Sequence, residues 1–383
     1  MMSAVDAHWM QKALRLAERG LFATTPNPRV GAVVVQGDVE VGAGWHPGAG
    51  QPHAEVFALR AAGSAAKGAT VYVTLEPCSH LGRTPPCADA LVAAQVARVV
   101  VASHDPNPLV SGQGLARLRA AGIDVTEGVL TAAADAVNIG FLQRMRTGRP
   151  WVRAKIAHSL DGRTAMASGE SFWITGEAAR ADVQYWRARS CAVLTGADTL
   201  LQDQSRLQVR MDLLAQRWPG HPQVKPPLRC VIDSQLRVPP EHPFFAESSA
   251  VLCTLASQPE RDLEPYRARG VTVLQAPALA GKVDITFVLQ QLAAQQGVNE
   301  VLLEAGPTLI GACFRHKLID EFIFYQAPRL LGSTGRPLMD LPLSRMDEAI
   351  NLRVTDQRQF GADWRIMARV EGTSTDEVNA RTR

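Results

Sequence analysis

Residues 53–87, HAEVFALRAAGSAAKGATVYVTLEPCSHLGRTPPC, constrain this chain more than any other stretch. They contain His53, Glu55, Cys78 and Cys87. A zinc ion that activates water needs three protein ligands, one open position and a separate proton carrier, and these four side chains fill that specification. Residues two apart on a helix lie roughly 200° apart around its axis. His53 and Glu55 therefore cannot share a side face as the histidines of HExxH do, and both reach one centre only from a helix end. Pro52 prepares such an end, with a helix expected over 53–62 and closed by Gly63. Cys87 is expected to open a second helix in the same way. Two helix N-termini aimed at one point favour thiolates there, because the positive end of a helix dipole lowers a nearby thiol pKa.

In this reading His53, Cys78 and Cys87 hold one zinc ion. Two thiolates balance its charge, and the open position takes a water whose pKa falls towards neutrality. Glu55 takes that water's proton and delivers protons to a leaving amine, which is the logic of zinc-dependent base and nucleoside deaminases. Other readings stay open. His80 can act as a fourth ligand and close a purely structural zinc site, leaving the protein a scaffold. Eight residues separate Cys78 from Cys87 instead of the two of the usual deaminase motif, which leaves room for a coincidence without metal. His46 and His80 can equally be ordinary loop histidines.

At 383 residues the chain is too long for one ordinary core and suits two domains of roughly 150 to 230 residues. A formal charge of only +3, with no basic run, argues against a nucleic-acid surface and for a small anionic substrate. No apolar run approaches the roughly 18 residues of a spanning helix. The polar start of the chain, with Asp6, His8, Lys12, Arg15 and Glu18, is unlike a signal peptide. A cytoplasmic protein is expected, in a reducing compartment that leaves thiolates free for metal. Cys191, Cys230, Cys253 and Cys313 read as small buried hydrophobes.

Taken in order, the first part alternates helix and strand. A helix is expected over 6–19, a hairpin from 30–35 and 39–42, a strand at 70–75, a helix at 87–94, a strand at 98–102, a helix at 114–120, a strand at 123–126 and a last helix at 135–145. That pattern predicts α/β with a mostly parallel sheet. TGRP at 147–150 marks the domain boundary. Beyond it come strands at 151–157, 191–195, 228–233, 250–255, 271–275, 301–304 and 321–326. Helices are expected from Thr175 or Gly176 onwards, over the ADTLLQD segment that carries Asp203, over 285–296 and over 308–317. Residues 372–383 read as a frayed tail. In EAGPTLIGA, a strand ends at Glu304, Gly306 permits close backbone approach, and a helix begins near Thr308. A diphosphate can sit at such a place, although a plain strand-to-helix turn fits equally well.

The runs HAEVFALR, TLEPCSHLGRTPPC, DPNP and SGQG, followed by SLDGRTA, TGADTLLQD and EAGPTLIGA, resemble the bifunctional riboflavin-biosynthesis deaminase/reductase family along nearly the full length. In that family the eight-residue insertion between the cysteines is normal. The resemblance implies an α/β protein in which a cytidine-deaminase-like α/β/α domain (1–148) precedes a dihydrofolate-reductase-like α/β domain (149–371). It implies deamination of 2,5-diamino-6-(5-phosphoribosylamino)pyrimidin-4(3H)-one, then NADPH-dependent reduction of the ribosyl side chain to ribityl. Asn27, His46, His80, Arg83 and Thr84 would line the first substrate pocket. Arg83 and the histidines suit a phosphate, and Asn27 suits a pyrimidine edge. In the second domain, Ala157, Trp173, Thr199, Asp203, Ser234 and Gly306, Pro307, Thr308, Leu309, Ile310, Gly311 and Ala312 would contact NADPH. Ser171, Arg187, Leu207, Arg210 and Glu304 would meet substrate.

Reducing a ribosylamine requires ring opening to an imine, hydride delivery and protonation. Lys155 and Asp203 are the candidates for the proton path, against readings as a strand-edge charge and a helix cap. Arg187 and Arg210 can fork onto a phosphate or be solvated surface arginines. One departure stands out: QDQSRLQVR places Ser205 and Gln208 where the family usually has proline and threonine, which bears on loop rigidity. The competing whole-chain reading is a nucleoside or nucleic-acid deaminase with an accessory binding domain, which would need a basic or aromatic surface. Expected partners are a small phosphorylated pyrimidine and further copies of the chain, with no nucleic acid and no membrane.

Overall fold

Helices cover both faces of the valine-rich segment near residue 33, and that double burial builds the first of two compact units, residues 1–149 and 150–383. The computed structural model describes residues 3–79, 86–108, 110–220, 223–246 and 249–371. The expected tail at 372–383, and the candidates His80, Arg83 and Thr84, lie outside the described residues.

In the first unit, α1 (Ala4–Ala17) is capped by the Ser3 hydroxyl, which accepts from the Asp6 N–H. It leads to the hairpin β1 (Gly31–Gln36) and β2 (Val39–Trp45), then α2 (Ala54–Ala62), β3 (Thr70–Val73), α3 (Cys87–Ala93), β4 (Arg98–Val101), α4 (Gln113–Ala120), β5 (Asp124–Glu127), α5 (Thr131–Val137) and α6 (Ile139–Thr147). Alternate residues of a strand face opposite sides. Accordingly Ala32 and Val34 pack with Ala58, Leu91 and Leu115 from α2, α3 and α4, whereas Val33 and Val35 pack with Met10, Ala13 and Leu14 of α1 and Ala134 of α5. The five-stranded sheet runs β2-β1-β3-β4-β5.

Two sequence expectations need correcting. The sheet is not mostly parallel: β1 pairs antiparallel with both β2 and β3, and only β3–β4 and β4–β5 are parallel. The hairpin forces this, because a short turn reverses the chain. The single helix expected over 135–145 is two helices. They are broken at Asn138, whose buried side chain accepts from the Arg29 N–H and donates to the Arg29 carbonyl, both at 2.8 Å.

The second unit is built on β6 (Trp151–Ser159), β7 (Arg163–Ala165), α7 (Glu177–Arg189), β8 (Ala192–Gly196), α8 (Ala197–Asp203), α9 (Met211–Arg217), β9 (Leu228–Ile232), β10 (Ala250–Leu255), α10 (Glu260–Arg267) and β11 (Thr272–Ala276). It continues with β12 (Ala278–Leu279), β13 (Lys282–Val283), α11 (Ile285–Gln296), β14 (Glu300–Leu303), α12 (Pro307–Arg315), β15 (Glu321–Ala327), β16 (Arg336–Pro337), β17 (Leu352–Phe360) and β18 (Asp363–Val370). The nine-stranded sheet has the order β11-β10-β9-β8-β14-β6-β15-β18-β17. It is parallel from β11 to β15 and antiparallel at β18 and β17. One face packs on α11 and α12 through Val288, Leu292 and Ile310, the other on α7, α8 and α10 through Val183, Leu200 and Tyr266. The hairpin β17–β18 had no sequence signal of its own, because the residues of β17 are polar and mostly exposed, as an edge strand allows. No helix among the described residues is long and apolar enough to cross a membrane.

Candidate functional site

The first site forms where two helix starts meet the end of β3. His53 is the extended residue that caps α2, Glu55 lies in that helix's first turn, and Cys87 is the first residue of α3. Cys78 follows β3 in the loop that Glu76 and Pro77 lead into. The His53 Nδ1 atom is 3.1 Å from Cys87 Sγ and 3.5 Å from Cys78 Sγ, and the three ligand atoms all lie within 4.8 Å of one another. Zinc bonds of about 2.3 Å to sulfur and about 2.0 Å to nitrogen in a tetrahedral arrangement put neighbouring ligand atoms roughly 3.5 Å apart. The set therefore fits a zinc ion by both chemistry and spacing.

The electrostatics agree on thiolate character but place it differently from the sequence reading. Cys78 is brought down to about 4, first by the hydrogen bond from the Cys87 side chain, then by His53 and by the Cys87 backbone N–H at 3.3 Å, all against burial. Cys87 is pushed well up by the same hydrogen bond and by its own burial. The first N–H of α3 thus serves the sulfur of Cys78 and not that of Cys87. The hydrogen bond to Cys78 raises His53. Burial pushes the Glu55 carboxyl up, opposed by His53.

Beside this centre, the buried His46 ring is held at both nitrogens. Nδ1 is 3.0 Å from the Pro52 carbonyl, and Nε2 is 3.0 Å from the Asn27 side-chain nitrogen. The carbonyl can only accept, so Nδ1 carries the proton and Nε2 accepts from Asn27. Burial lowers His46, which keeps the ring neutral. The structure thus brings Asn27 and His46 together beside His53, whose ring meets that of His46 edge to face at 5.4 Å. A neutral, hydrogen-bonded His46 suits orientation of a polar group better than the phosphate contact expected from sequence.

The second site is a cleft of about 510 Å³ in the second unit, at the carboxyl ends of β6, β8 and β14, where open α/β sheets bind ligands. Among the sequence candidates, Lys155, Ala157, Ser171, Trp173, Arg187, Thr199, Asp203, Leu207, Arg210, Glu304, Gly306 and Pro307 line it. Lys155 stands on β6, an interior strand between β14 and β15, so it is not a strand-edge charge. Its Nζ is 3.5 Å from Glu304. Glu304 is held at about 2: burial acts to raise it, and the charges of Arg187 and Lys155 override that. Asp203 ends α8 and does not cap it from outside. Burial raises its carboxyl, while Ser171, Lys155 and Arg336 oppose the rise.

Several candidates lie elsewhere or do otherwise than expected. The Arg187 guanidinium pairs with Glu304, at 2.5 and 3.0 Å, and its Nη1 donates to the Gln208 carbonyl, a fixed ion pair that sequence did not indicate. Arg210 has no side-chain partner among the described residues. Ser234 is not in the cleft lining, and its Oγ accepts from the Val283 N–H. Thr308, Leu309, Ile310, Gly311 and Ala312 are inside α12 and do not line the cleft; Ile310 is core, and Gly311 packs against the Asp340 carbonyl. Only Gly306 and Pro307, at the helix start, face the cleft. Around the departure from the usual loop, Gln204 and Leu207 take φ of 46° and 53°, and Ser205 lines the cleft between them. Arg180, Gln202, Arg206 and Arg336 also line it, and sequence reasoning had singled out none of them for a role there. Arg206 sits within the QSRLQVR departure, whereas the segment around Arg336 has no periodic pattern to read.

Of the remaining cysteines, Cys230, Cys253 and Cys313 are buried as expected, whereas Cys191 is half-buried and its sulfur accepts from the Asn299 and Glu300 N–H groups. Burial pushes Cys230 and Cys313 up to about 12 and Cys253 well above its ordinary value.

Comparison with known proteins bears on both sites. Residues 150–366 match the model of the RibD C-terminal domain, and residues 3–103 match that of the cytidine and deoxycytidylate deaminase zinc-binding region. The riboflavin biosynthesis protein RibD of Escherichia coli is 49% identical over 362 residues, covering 94% of this chain and 97% of that protein. This chain belongs to the RibD family. RibD of Acinetobacter baumannii is similar in structure, with a TM-score of 0.87 at 45% identity over 96% of this chain and 99% of that one. A Thermotoga maritima protein named diaminohydroxyphosphoribosylaminopyrimidine deaminase/5-amino-6-(5-phosphoribosylamino)uracil reductase gives a TM-score of 0.83 at 29% identity, covering 96% and 99%. As a RibD protein the chain is a bifunctional enzyme of riboflavin biosynthesis, with a cytidine-deaminase-like hydrolase part followed by a reductase part. A nucleoside or nucleic-acid deaminase with an accessory domain is not favoured, because the second unit is itself the RibD reductase domain.

Proposed function

We propose that residues 1–148 deaminate 2,5-diamino-6-(5-phosphoribosylamino)pyrimidin-4(3H)-one, and that residues 149–371 use NADPH to reduce the ribosyl side chain of the resulting 5-amino-6-(5-phosphoribosylamino)uracil to ribityl. The observation that carries the reading is the convergence of His53, Cys78 and Cys87 within 4.8 Å, with buried Glu55 two residues from His53. The names of the relatives supply the substrate class.

One zinc ion per chain would be held by His53, Cys78 and Cys87. Bound there it supplies a water acidified to near neutrality. Glu55 performs the proton work. With its carboxyl raised by burial, it holds a proton more readily than an exposed carboxylate does, and hands it to the departing 2-amino group. Asn27, oriented by its hydrogen bond to neutral His46, presents the rest of its amide to the pyrimidine edge. His80, Arg83 and Thr84 complete the substrate pocket in this proposal. In the reductase part, NADPH supplies the hydride. Gly306 and Pro307, at the start of α12, and Ala157, Trp173 and Thr199 cradle the cofactor. Asp203, raised by burial, and Lys155 hold and move the proton that the reduced nitrogen needs. Ser171 and Leu207 shape the ribosyl end, and Arg210, exposed and unpaired among the described residues, takes the phosphate. Arg187 holds Glu304 in place instead.

Two variants test the division of labour. Glu55→Gln is expected to lower deamination by about 10²–10⁴-fold, the usual worth of a general acid–base, while reduction of the deaminated substrate continues at the wild-type rate. Asp203→Asn is expected to do the reverse. Loss of both activities in either folded variant would contradict separate sites.

A further inference from the structure

Arg336 comes from a part of the chain with no recognisable motif, yet its side chain ends on Gln202, the residue before Asp203 in α8. It stands on β16, which pairs with β7 at Ala165. Its Nη1 donates to the Gln202 side-chain oxygen at 2.9 Å, next to Asp203 at the end of α8. Its guanidinium also covers Gly169, where an added Cβ would lie 2.8 Å from Nη2. Gly169 has φ of 93° and stands two residues before Ser171, whose hydroxyl points to Asp203 at 3.5 Å. One planar cation from the β7–β16 arm thus bonds to the end of α8 and packs against the loop that carries Ser171.

We propose that Arg336 is a positioning residue of the reductase reaction, fixing Asp203 and Ser171 relative to each other through Gln202 and the backbone at Gly169. The inference rests on the role given to Asp203 above. Geometry separates Arg336 from the other cations of the cleft. Lys155 and Arg187 are turned to Glu304, and Arg180 donates to the Thr175 carbonyl and lies over Trp173. Arg206 and Arg210 extend from the segment after α8. Charged groups facing the cleft with Asp203 are therefore Lys155 on β6, Arg180 and Arg187 on α7, Glu304 after β14, and Arg206 and Arg210. Besides Arg336, only Lys155 among them acts on Asp203 to oppose its raised pKa.

The full-length enzyme, assayed on the deaminated substrate with NADPH, tests this. Arg336→Gln is expected to lower kcat for reduction at least tenfold with little change in KM for either ligand. It should move the limb of the pH profile assigned to Asp203 upward, because a cation beside that carboxyl is lost. Arg336→Lys should restore the pH limb but not kcat, since a single ammonium keeps the charge and not the planar contact. Gln202→Ala, on an exposed helix face, should give a smaller loss of kcat in the same direction and guards against an Arg336 variant that misfolds. An unchanged kcat and pH limb in Arg336→Gln, or a rise in KM for NADPH alone, would overturn the proposal. Asp203→Asn run in parallel separates the two ideas: if it leaves reduction intact, the role of Asp203 fails, whereas an effect there without one at Arg336 fails only the positioning role.

Discussion

At the scale of single residues, the chain solves the same problem twice: it keeps ionisable groups buried in the state their chemistry needs. Glu55 and Asp203 are raised by burial, which suits proton carriers. Glu304 is buried like Glu55, and more so than the half-buried Asp203, but lies between Arg187 and Lys155, which hold it at about 2. A carboxyl with a depressed pKa stabilises the folded state above its unfolded value, and the stabilisation is lost as pH falls through the folded value. Glu304 should therefore contribute stability that is complete above pH 4.5, its ordinary pKa, and that drains away towards pH 2. Thermal unfolding of the wild type should show its Tm falling across that window. Glu304→Gln should flatten this part of the curve, and an unchanged slope in that variant would remove Glu304 as its source. His53, Glu55, Cys78 and Cys87 were legible in the sequence because ligand chemistry limits the residue types and spacing so tightly. Arg336 and Gln202 were not, since an arginine or glutamine in an aperiodic segment carries no sign of where its end will lie.

At the scale of elements, the deaminase site depends on how closely backbone segments approach. Gly114 in α4 lies so near the loop before Cys78 that a Cβ would stand 2.0 Å from the Pro77 carbonyl oxygen. Glu76 reinforces the contact by accepting from the Gly112 N–H at 3.2 Å. Gly114→Ala is therefore expected to shift the Cys78 loop and weaken zinc retention by about 10-fold or more, as displaced ligand supports do. Zinc content after dialysis against a graded chelator measures this, and retention equal to wild type would show that the loop is not held from α4. Most elements could be read from periodicity: α2 and α3 begin within a residue of their expected starts, because proline and helix-end chemistry mark them. The break at Asn138 was hidden, because it comes from hydrogen bonds to Arg29, more than a hundred residues away. The mixed pairing of the first sheet was available from the hairpin but outweighed by the alternation of helices and strands.

At the scale of the whole molecule, two units carry two chemistries that fit in sequence, since deamination produces the uracil that the reductase part would take up. Both motifs and fold class were readable along nearly the full length, and the RibD match bears out that bifunctional reading. What the sequence could not supply was the reductase cleft as a surface. Its lining is drawn from segments between Lys155 and Arg336 that only the sheet order brings together. The ion pair between Arg187 and Glu304 follows from that assembly. If zinc-dependent deamination precedes NADPH-dependent reduction on this chain, incubation of the zinc-loaded protein with the diaminopyrimidinone phosphate, with and without NADPH, will show it. Ammonia release is expected in both cases and NADPH oxidation only after ammonia has appeared; oxidation without ammonia release, or no ammonia from the zinc-loaded protein, would rule out that order of reactions.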